Sequence, residues 1–492
     1  MALYSVAQVR NFDRHAIEVL GIPGYTLMQR AGAAAWQLIR QRWPRARRIT
    51  VVTGGGNNGG DGFVVARLMR DGGCAVRLLA LAPPGNLVGD ARRACGDYIG
   101  SGGTVEDFSA ASLEEAELIV DALLGTGARA PLRDDYATAI RAINAAGRPV
   151  LALDLPSGLD ADRGAVIDVA IKADATISFV ALKTGLLLDE GPAHCGALQC
   201  DDLQIELPAG AASRPQLLRL QATDIAAALP PRARAGHKGD YGRVLIIGGG
   251  PGMPGAAQLA GEACLRVGAG LVTLATRREH AAEIAAARPE LICRGVDDAA
   301  ALQPLLAAAD VVAVGPGLGT SDWARALHAA ALACGKPLVV DADALNLLAV
   351  GGDTPPAESV LTPHPGEAAR LLGVRAADVQ RDRLQALLQL QARTGAIVVL
   401  KGAGTLLATH DEIPAICEHG NPGMASAGMG DVLTGAIAGI LGQCRNPWRA
   451  ARAGVLAHAL AGDDCARISG TRGLLAAEVA AALTARVNAR RT

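Results

Sequence analysis

Short apolar runs alternate with longer amphipathic stretches along the whole chain, the rhythm of strands separated by helices. In the first half the runs are ITVVTG (49–54), AVRLLALA (75–82), LIVDALLG (118–125), PVLALDLPSG (149–158) and DATISFVALK (174–183). Several are continuously apolar, which predicts parallel strands buried on both faces rather than strands with one wet face. Helices are predicted in the gaps, for example over 61–71 and 135–146. This is the βαβ rhythm of a doubly wound sheet. Around 207–235 the pattern lapses into residues rich in Pro, Arg, Ala and Gly, and a linker is expected near 209–216. A second α/β series follows: RVLIIGGG, LVTLAT, DVVAVGPGLG, PLVVDADAL, ESVLTPHPGE and AIVVLKGAGTLLAT, closed by helices after 430, 448 and 475. The expected domains are 1–212 and 218–492, with no obvious repeat between them beyond the rhythm.

The length of 492 residues agrees with two cores rather than one. A net charge of −1 and only 3% aromatics leave no electrostatic or stacking footprint for nucleic acid or an acidic membrane. The ten cysteines are dispersed without a CxxC, and the nine histidines form no HExxH, so a zinc site is not expected. The opening residues carry Arg10, Asp13, Arg14 and Glu18 on a helical period and lack the apolar centre of a signal peptide. A cytoplasmic protein is expected.

The first glycine loop, TGGGNNGGDGF (53–63), follows a strand and opens a helix. Gly54, Gly56 and Gly59 satisfy G-x-G-x-x-G, but the dinucleotide fingerprint also needs an acid at the end of the second strand. AVRLLALAPP has none, which disfavours a hydride-transferring domain; a plain βα turn with a surface Asn pair is the bland alternative. Asp121 and then Asp154 with Ser157 stand at two later strand ends. Carboxyl ends of parallel strands line one crevice, so these residues are expected to converge there with Asn57, Asn58 and Asp61.

GGGNNGGDG, DALLGTG and LDLPSGLDAD resemble the NAD(P)H-hydrate epimerase domain over roughly residues 1–210. The resemblance implies that two segments hold the hydrated nicotinamide nucleotide: Asn57, Asn58, Gly59, Gly60 and Asp61, and Gly125, Thr126, Gly127, Ala128, Arg129, Ala130 and Pro131. It also implies a potassium ion held by Asn58, Asp121 and Ser157, with Asp154 touching the substrate as acid/base. The chemistry suits a carboxylate. The substrate is a carbinolamine at C6, so a proton shuttle suffices to invert that carbon without a redox cofactor.

In the second half, Gly250, Gly252 and Gly255 form another formal match, again without a following acid until Glu279. More telling are GPGLGT (315–320), VDADALN (340–346), TPHPGEAARL (362–371), KGAGT (401–405) and NPGMASAGMGDVLTGAIAGIL (421–441), in which Asp431 is the only charge. A glycine-rich turn running into an apolar helix is an anion site. A carboxylate beside it makes sense as the base for a hydroxyl attacking a phosphoryl group. The plain alternative is that Asp431 caps the helix.

These segments together resemble the ribokinase-like fold, specifically the ADP-dependent (S)-NAD(P)H-hydrate dehydratase domain, over about 220–490. The resemblance implies nucleotide binding by Lys401, Gly402, Ala403, Gly404, Thr405 and Gly430, and contact with the hydrate by Ala256, Gly317, His364 and Asp431. It implies magnesium and potassium as cofactors, ADP as co-substrate, and NADHX and NADPHX as substrates; a homo-oligomer is expected. The fold class expected is therefore α/β, a Rossmann-like doubly wound three-layer domain followed by a ribokinase-like α/β domain. The main rival is a vitamin-type kinase of the same fold fused to a binding domain. A non-enzymatic dimerisation module is opposed by retained Asp121, Asp154 and Ser157.

Overall fold

In a computed structural model, which describes residues 2–488, the chain divides into two compact units, residues 1–217 and 218–492. The first unit is built on a seven-stranded, wholly parallel sheet. Its order is Val105–Asp107, Ala75–Ala80, Arg48–Thr53, Leu118–Ala122, Val150–Leu153, Ala175–Phe179 and Ala197–Asp201. Successive side chains on each strand point to opposite faces, so Val51 and Leu78 enter one core while Val52 and Leu79 enter the other. Helices cover both faces, which is why these strands read as unbroken apolar runs. The two edge strands, Val105–Asp107 and Ala197–Asp201, carry no such run and the hydrophobic pattern does not reveal them.

The second unit winds the same way. Its order begins Ile292–Gly295, Leu271–Thr276, Arg243–Ile247, Val311–Val314, Leu338–Val340, Val360–Leu361 and Ile397–Leu400, all parallel. In both units the strands therefore lie in the order third, second, first, fourth, fifth, sixth, seventh. That common plan is invisible in the sequence, because only the alternation of elements, not their order in space, leaves a local mark. Two antiparallel strands, Thr405–Ala408 and Ala415–Cys417, extend the second sheet, and Leu217–Arg219 pairs with the latter.

In each unit the chain reverses its direction of travel between the first and fourth strands, and the loops leaving them diverge to open a crevice. The same device closes both crevices at the base. A Cβ on Gly54 would lie 2.0 Å from the Leu123 carbonyl oxygen, and one on Gly248 would lie 2.1 Å from that of Pro316. Only glycine lets the two loops touch there.

The helix Met429–Cys444 in the second unit is apolar almost all round, with twelve of its residues buried. It crosses Pro254–Arg266 closely enough that a Cβ on Gly435 would meet the Ala260 carbonyl at 2.0 Å. Its buried setting, rather than a membrane, accounts for its composition. Among the described residues no helix is long and apolar enough to cross a membrane.

Candidate functional sites

In the first unit the crevice holds a cavity of about 540 Å³. Asn57, Asn58, Asp61, Gly125, Thr126, Gly127, Ala128 and Asp154 line it. The helix here begins at Asn57, four residues before the predicted start, because Gly56 takes an extended conformation and serves as its N-cap. Asn57 to Asp61 are thus its first turn rather than a loop. Gly59 and Gly60 do not face the cavity; they let the helix pack, with a Cβ on Gly59 falling 2.1 Å from the Gly54 oxygen. Arg129, Ala130 and Pro131 are exposed and lie outside the cavity lining.

Asp154 follows the strand Val150–Leu153 with φ of 67°, in the left-handed region. Its Oδ1 accepts hydrogen bonds from the Phe179 N–H at 3.3 Å and from the Lys183 ammonium. Lys183 is only 1% exposed and also donates to Ser178 Oγ at 3.0 Å and the Phe179 carbonyl at 2.9 Å. Asp154 Oδ2 lies 3.7 Å from where a Cβ on Gly125 would stand, at the loop that walls the cavity. Asp13 and Asp61 face the same cavity. Burial pushes Asp13 up to about 6 against the pull of Lys183, and burial together with the Asp154 and Asp13 charges holds Asp61 well above the usual carboxylate range.

Asp121 and Ser157, expected to converge in the crevice, are instead fully buried and are not among the residues lining the cavity. Ser157 donates through its N–H at 2.8 Å to Asp121 Oδ2 and through its hydroxyl at 2.6 Å to Oδ1, and Leu123 N–H adds a third bond at 3.1 Å. Burial nevertheless raises Asp121 to about 6. Asn58 is buried with neither its Oδ1 nor its Nδ2 partnered. An orphaned buried amide is costly and calls for a missing partner. An amide oxygen, a carboxylate and a hydroxyl are hard oxygen donors that suit a hard cation.

Sequence reading missed Lys183 and Asp13. Lys183 had one local signal, a lysine closing the run DATISFVALK. Asp13 shares its helical period with Arg10, Arg14 and Glu18 and carries no local mark of a site; the fold turns it into the crevice.

In the second unit, Lys401 donates to Asp341 Oδ1 at 2.6 Å and stands 3.7 Å from Glu367 Oε2. Thr434 Oγ1 donates to the other Asp341 oxygen at 2.8 Å. Burial works against the Lys401 charge, but the Asp341 and Glu367 carboxylates outweigh it and hold its pKa above the ordinary value. Gly430 packs here, since a Cβ on it would lie 3.4 Å from Lys401 Nζ. Gly317 neighbours Ala256, whose Cβ would be 3.0 Å from one on Gly317. His364 is the N-cap of Pro365–Leu372, its Nδ1 accepting the Gly366 N–H at 2.9 Å, and burial followed by Lys401 and Arg370 keeps its pKa low.

The N-cap of Met429–Cys444 is Gly428, and no side chain caps the helix. Asp431 is the third residue in, so its carboxylate is not spent on capping and the first N–H groups stay open to an anion. Burial, with Asp341 adding to it and Lys401 opposing, pushes Asp431 up to about 7. His458, on Pro447–Ser469, was not foreseen: it is buried with Nε2 unpartnered, and burial first, then Lys401, pushes it down to about 4. A wider cavity of about 1260 Å³ elsewhere in this unit holds none of these groups, and its Glu262 is neutralised by Arg288 at 2.6 Å.

Comparison with known proteins places both halves of the chain in known families. Residues 244–485 match the family model of NAD(P)H-hydrate dehydratase, and residues 24–185 that of the YjeF-related protein N-terminus. The bifunctional NAD(P)H-hydrate repair enzyme Nnr of Coxiella burnetii is 46% identical over 488 residues, 99% of each chain. The chain belongs to the bifunctional NAD(P)H-hydrate repair enzymes. The Escherichia coli member is 44% identical, covering 98% of this chain and 93% of its own. A ribokinase-like protein from Enterococcus faecalis shares 30% identity and a TM-score of 0.52, over 57% of this chain and 98% of its own. The ADP/ATP-dependent NAD(P)H-hydrate dehydratase of Bacillus subtilis, co-crystallised with ATP and Mg²⁺, shares 29% identity and a TM-score of 0.50, over 55% and 97%. The family's two activities are epimerisation and dehydration of NAD(P)H hydrate, and the chain carries both domains.

Proposed function

We propose that the two activities run at the two crevices described, epimerisation at Asp154 and ADP-dependent dehydration at Asp431. The observation that carries the reading is Asp431: a carboxylate with a pKa near 7, uncommitted to capping, at the open start of a buried helix. Such a group is half-ionised at neutral pH and suits a general base.

In the first unit, the ring nitrogen of the hydrate expels the C6 hydroxyl, and water returns to the other face. Oδ2 of Asp154 moves the proton, while Lys183, bound to Oδ1, fixes the orientation of the carboxylate. Asn58, Asp121 and Ser157 would hold potassium, which supplies positive charge to offset the buried acid. Epimerisation is then expected to fall severalfold or more when sodium or lithium replaces potassium at equal ionic strength. An unchanged rate under that exchange removes the ion from the site.

In the second unit, Asp431 accepts the proton of the C6 hydroxyl as its oxygen attacks the terminal phosphorus of ADP and AMP leaves. The C6–O bond of the phosphate ester then breaks, the ring nitrogen pushing, and loss of the C5 proton restores NAD(P)H. The open N–H groups of the helix and the Lys401–Thr405 loop hold the phosphates, and Ala256, Gly317 and His364 border the hydrate. Among the described residues no cluster of three or more His, Cys, Asp or Glu could enclose a metal. Magnesium would need none, since it would bind chiefly through the substrate phosphates and neutralise their charge. Asp343, which accepts the Gly319 N–H at 2.8 Å and raises Asp431 by its charge, is the carboxylate available to it.

The decisive assay mixes both hydrate epimers with protein, ADP and magnesium and follows absorbance at about 340 nm together with phosphate. Full recovery of NADH with one phosphate released per turnover is expected. A stable phosphorylated product instead would establish a kinase.

A further inference from the structure

The loop from Leu400 to Thr405 has an unusual distribution of hydrogen bonds. Arg383, the first residue of the helix Arg383–Thr394, is 5% exposed and reaches under this loop. Its Nη2 donates to the carbonyls of Leu400 at 3.4 Å and Lys401 at 3.3 Å, and its Nη1 donates to that of Ala403. The carbonyl between them, that of Gly402, accepts the Thr405 hydroxyl at 3.1 Å. Four successive carbonyl oxygens are thus already engaged by side-chain donors. The N–H groups of Gly402 and Ala403, both exposed residues, have no hydrogen-bond partner among the described residues.

Gly402 makes the arrangement possible. Its φ is 143°, and a Cβ on it would fall 2.8 Å from Arg383 Nη2. The guanidinium therefore packs directly on the backbone. An arginine is suited to this because its planar fork offers several donors at once and stays charged when buried.

We infer that Arg383 is a positioning residue for the nucleotide: it sequesters the loop's carbonyls and leaves outward-facing N–H groups over a buried positive charge, an anion-accepting surface for the ADP phosphates. The inference rests on the reading that Lys401–Thr405 binds the nucleotide. Carbonyl lone pairs facing a phosphate repel it, whereas successive backbone N–H groups form a concave anion site. The guanidinium does both jobs without touching the ligand.

Three variants of the full chain test this: Arg383→Met removes the charge and the fork, Arg383→Lys keeps only the charge, and Gly402→Ala drives a methyl group between loop and guanidinium. ADP affinity is measured by calorimetry, turnover of the S hydrate at saturating ADP by absorbance, and ADP protection of the 400–405 amides by hydrogen exchange. ADP is expected to slow exchange of these amides in the wild type. Arg383→Met is expected to weaken ADP binding by about 10- to 100-fold, as one or two loop N–H bonds to phosphate are lost with the loop's orientation. Arg383→Lys should fall between it and wild type, because one ammonium cannot gather three carbonyls, and Gly402→Ala should resemble Arg383→Met. Turnover at saturating ADP should change far less than affinity, since Arg383 does not reach the reacting atoms. A melting temperature lowered with ADP affinity unchanged in Arg383→Lys and Gly402→Ala makes Arg383 structural only and overturns the inference. If ADP fails to protect the loop in the wild type, the nucleotide-site reading itself falls.

Discussion

Asp431→Asn is expected to bind ADP as tightly as wild type or slightly more tightly while dehydrating the S hydrate about 10²- to 10⁴-fold more slowly, the range for losing a positioned base. The change is nearly isosteric, and it removes a negative charge beside the phosphate site, so like-charge repulsion with ADP is relieved. Gly428, not Asp431, is the N-cap of the helix, so the substitution costs no capping bond. A stability readout sharpens the test. The folded pKa of Asp431, about 7, lies above the value of 3.8 for a free carboxyl, so ionisation in the folded protein works against folding. That penalty is absent below about pH 4, grows as the pH rises, and is complete above about 7. At pH 8 the apo Asn variant should therefore melt higher than wild type, and at pH 4 the two should melt alike. Wild-type turnover should fall as the pH drops below about 7, where the base becomes protonated. Near-normal turnover with intact ADP binding would leave Asp431 without the role assigned to it.

Asp154→Asn is expected to abolish epimerisation and leave dehydration of the S form at full rate, because the two carboxylates belong to different compact units. With mixed epimers the reaction should stop once the S fraction is spent, apart from slow spontaneous inversion. The charge of Lys183 then loses its partner in a fully buried position, and a buried unpaired ammonium is costly. A lower melting temperature for the first unit should accompany the lost activity. Lys183→Met provides the converse: the Asp154 carboxylate keeps its Phe179 N–H but loses the ammonium that orients it, so epimerisation should fall while dehydration of the S form is unchanged. Full conversion of both epimers at wild-type speed by Asp154→Asn would remove Asp154 from the mechanism.

How much of this was legible in the sequence depended on whether the cause was local. Buried parallel strands such as Arg48–Thr53 and Val311–Val314 show as unbroken apolar runs because both faces are covered, and their ends carry the glycines and acids of the crevice. The run ESVLTPHPGE also marked a strand, yet only Val360–Leu361 is one, because Pro363 and Pro365 end the ladder and start a helix. What stayed hidden was set by distant contacts. Asp13, near the start of the chain, reaches the same cavity as Asp154; Thr434 and Asp341 meet across 93 positions; and His458 looks like any helix residue until its burial is seen. The segment from Asn57 is a helix start rather than a loop because Gly56, in an extended conformation, serves as the N-cap.

The backbone of Asp154, with its positive φ, bears on how this residue can be interrogated at all. Asparagine shares aspartate's tolerance of that conformation, whereas alanine does not. Replacement by alanine would remove the carboxylate and strain the turn after Leu153 together, and that strain would reach Leu155 to Ser157 and the Ser157 bonds to Asp121. A routine alanine scan would then score Asp154 and its neighbours as one inseparable group, and only the asparagine series would separate the chemistry from the scaffold.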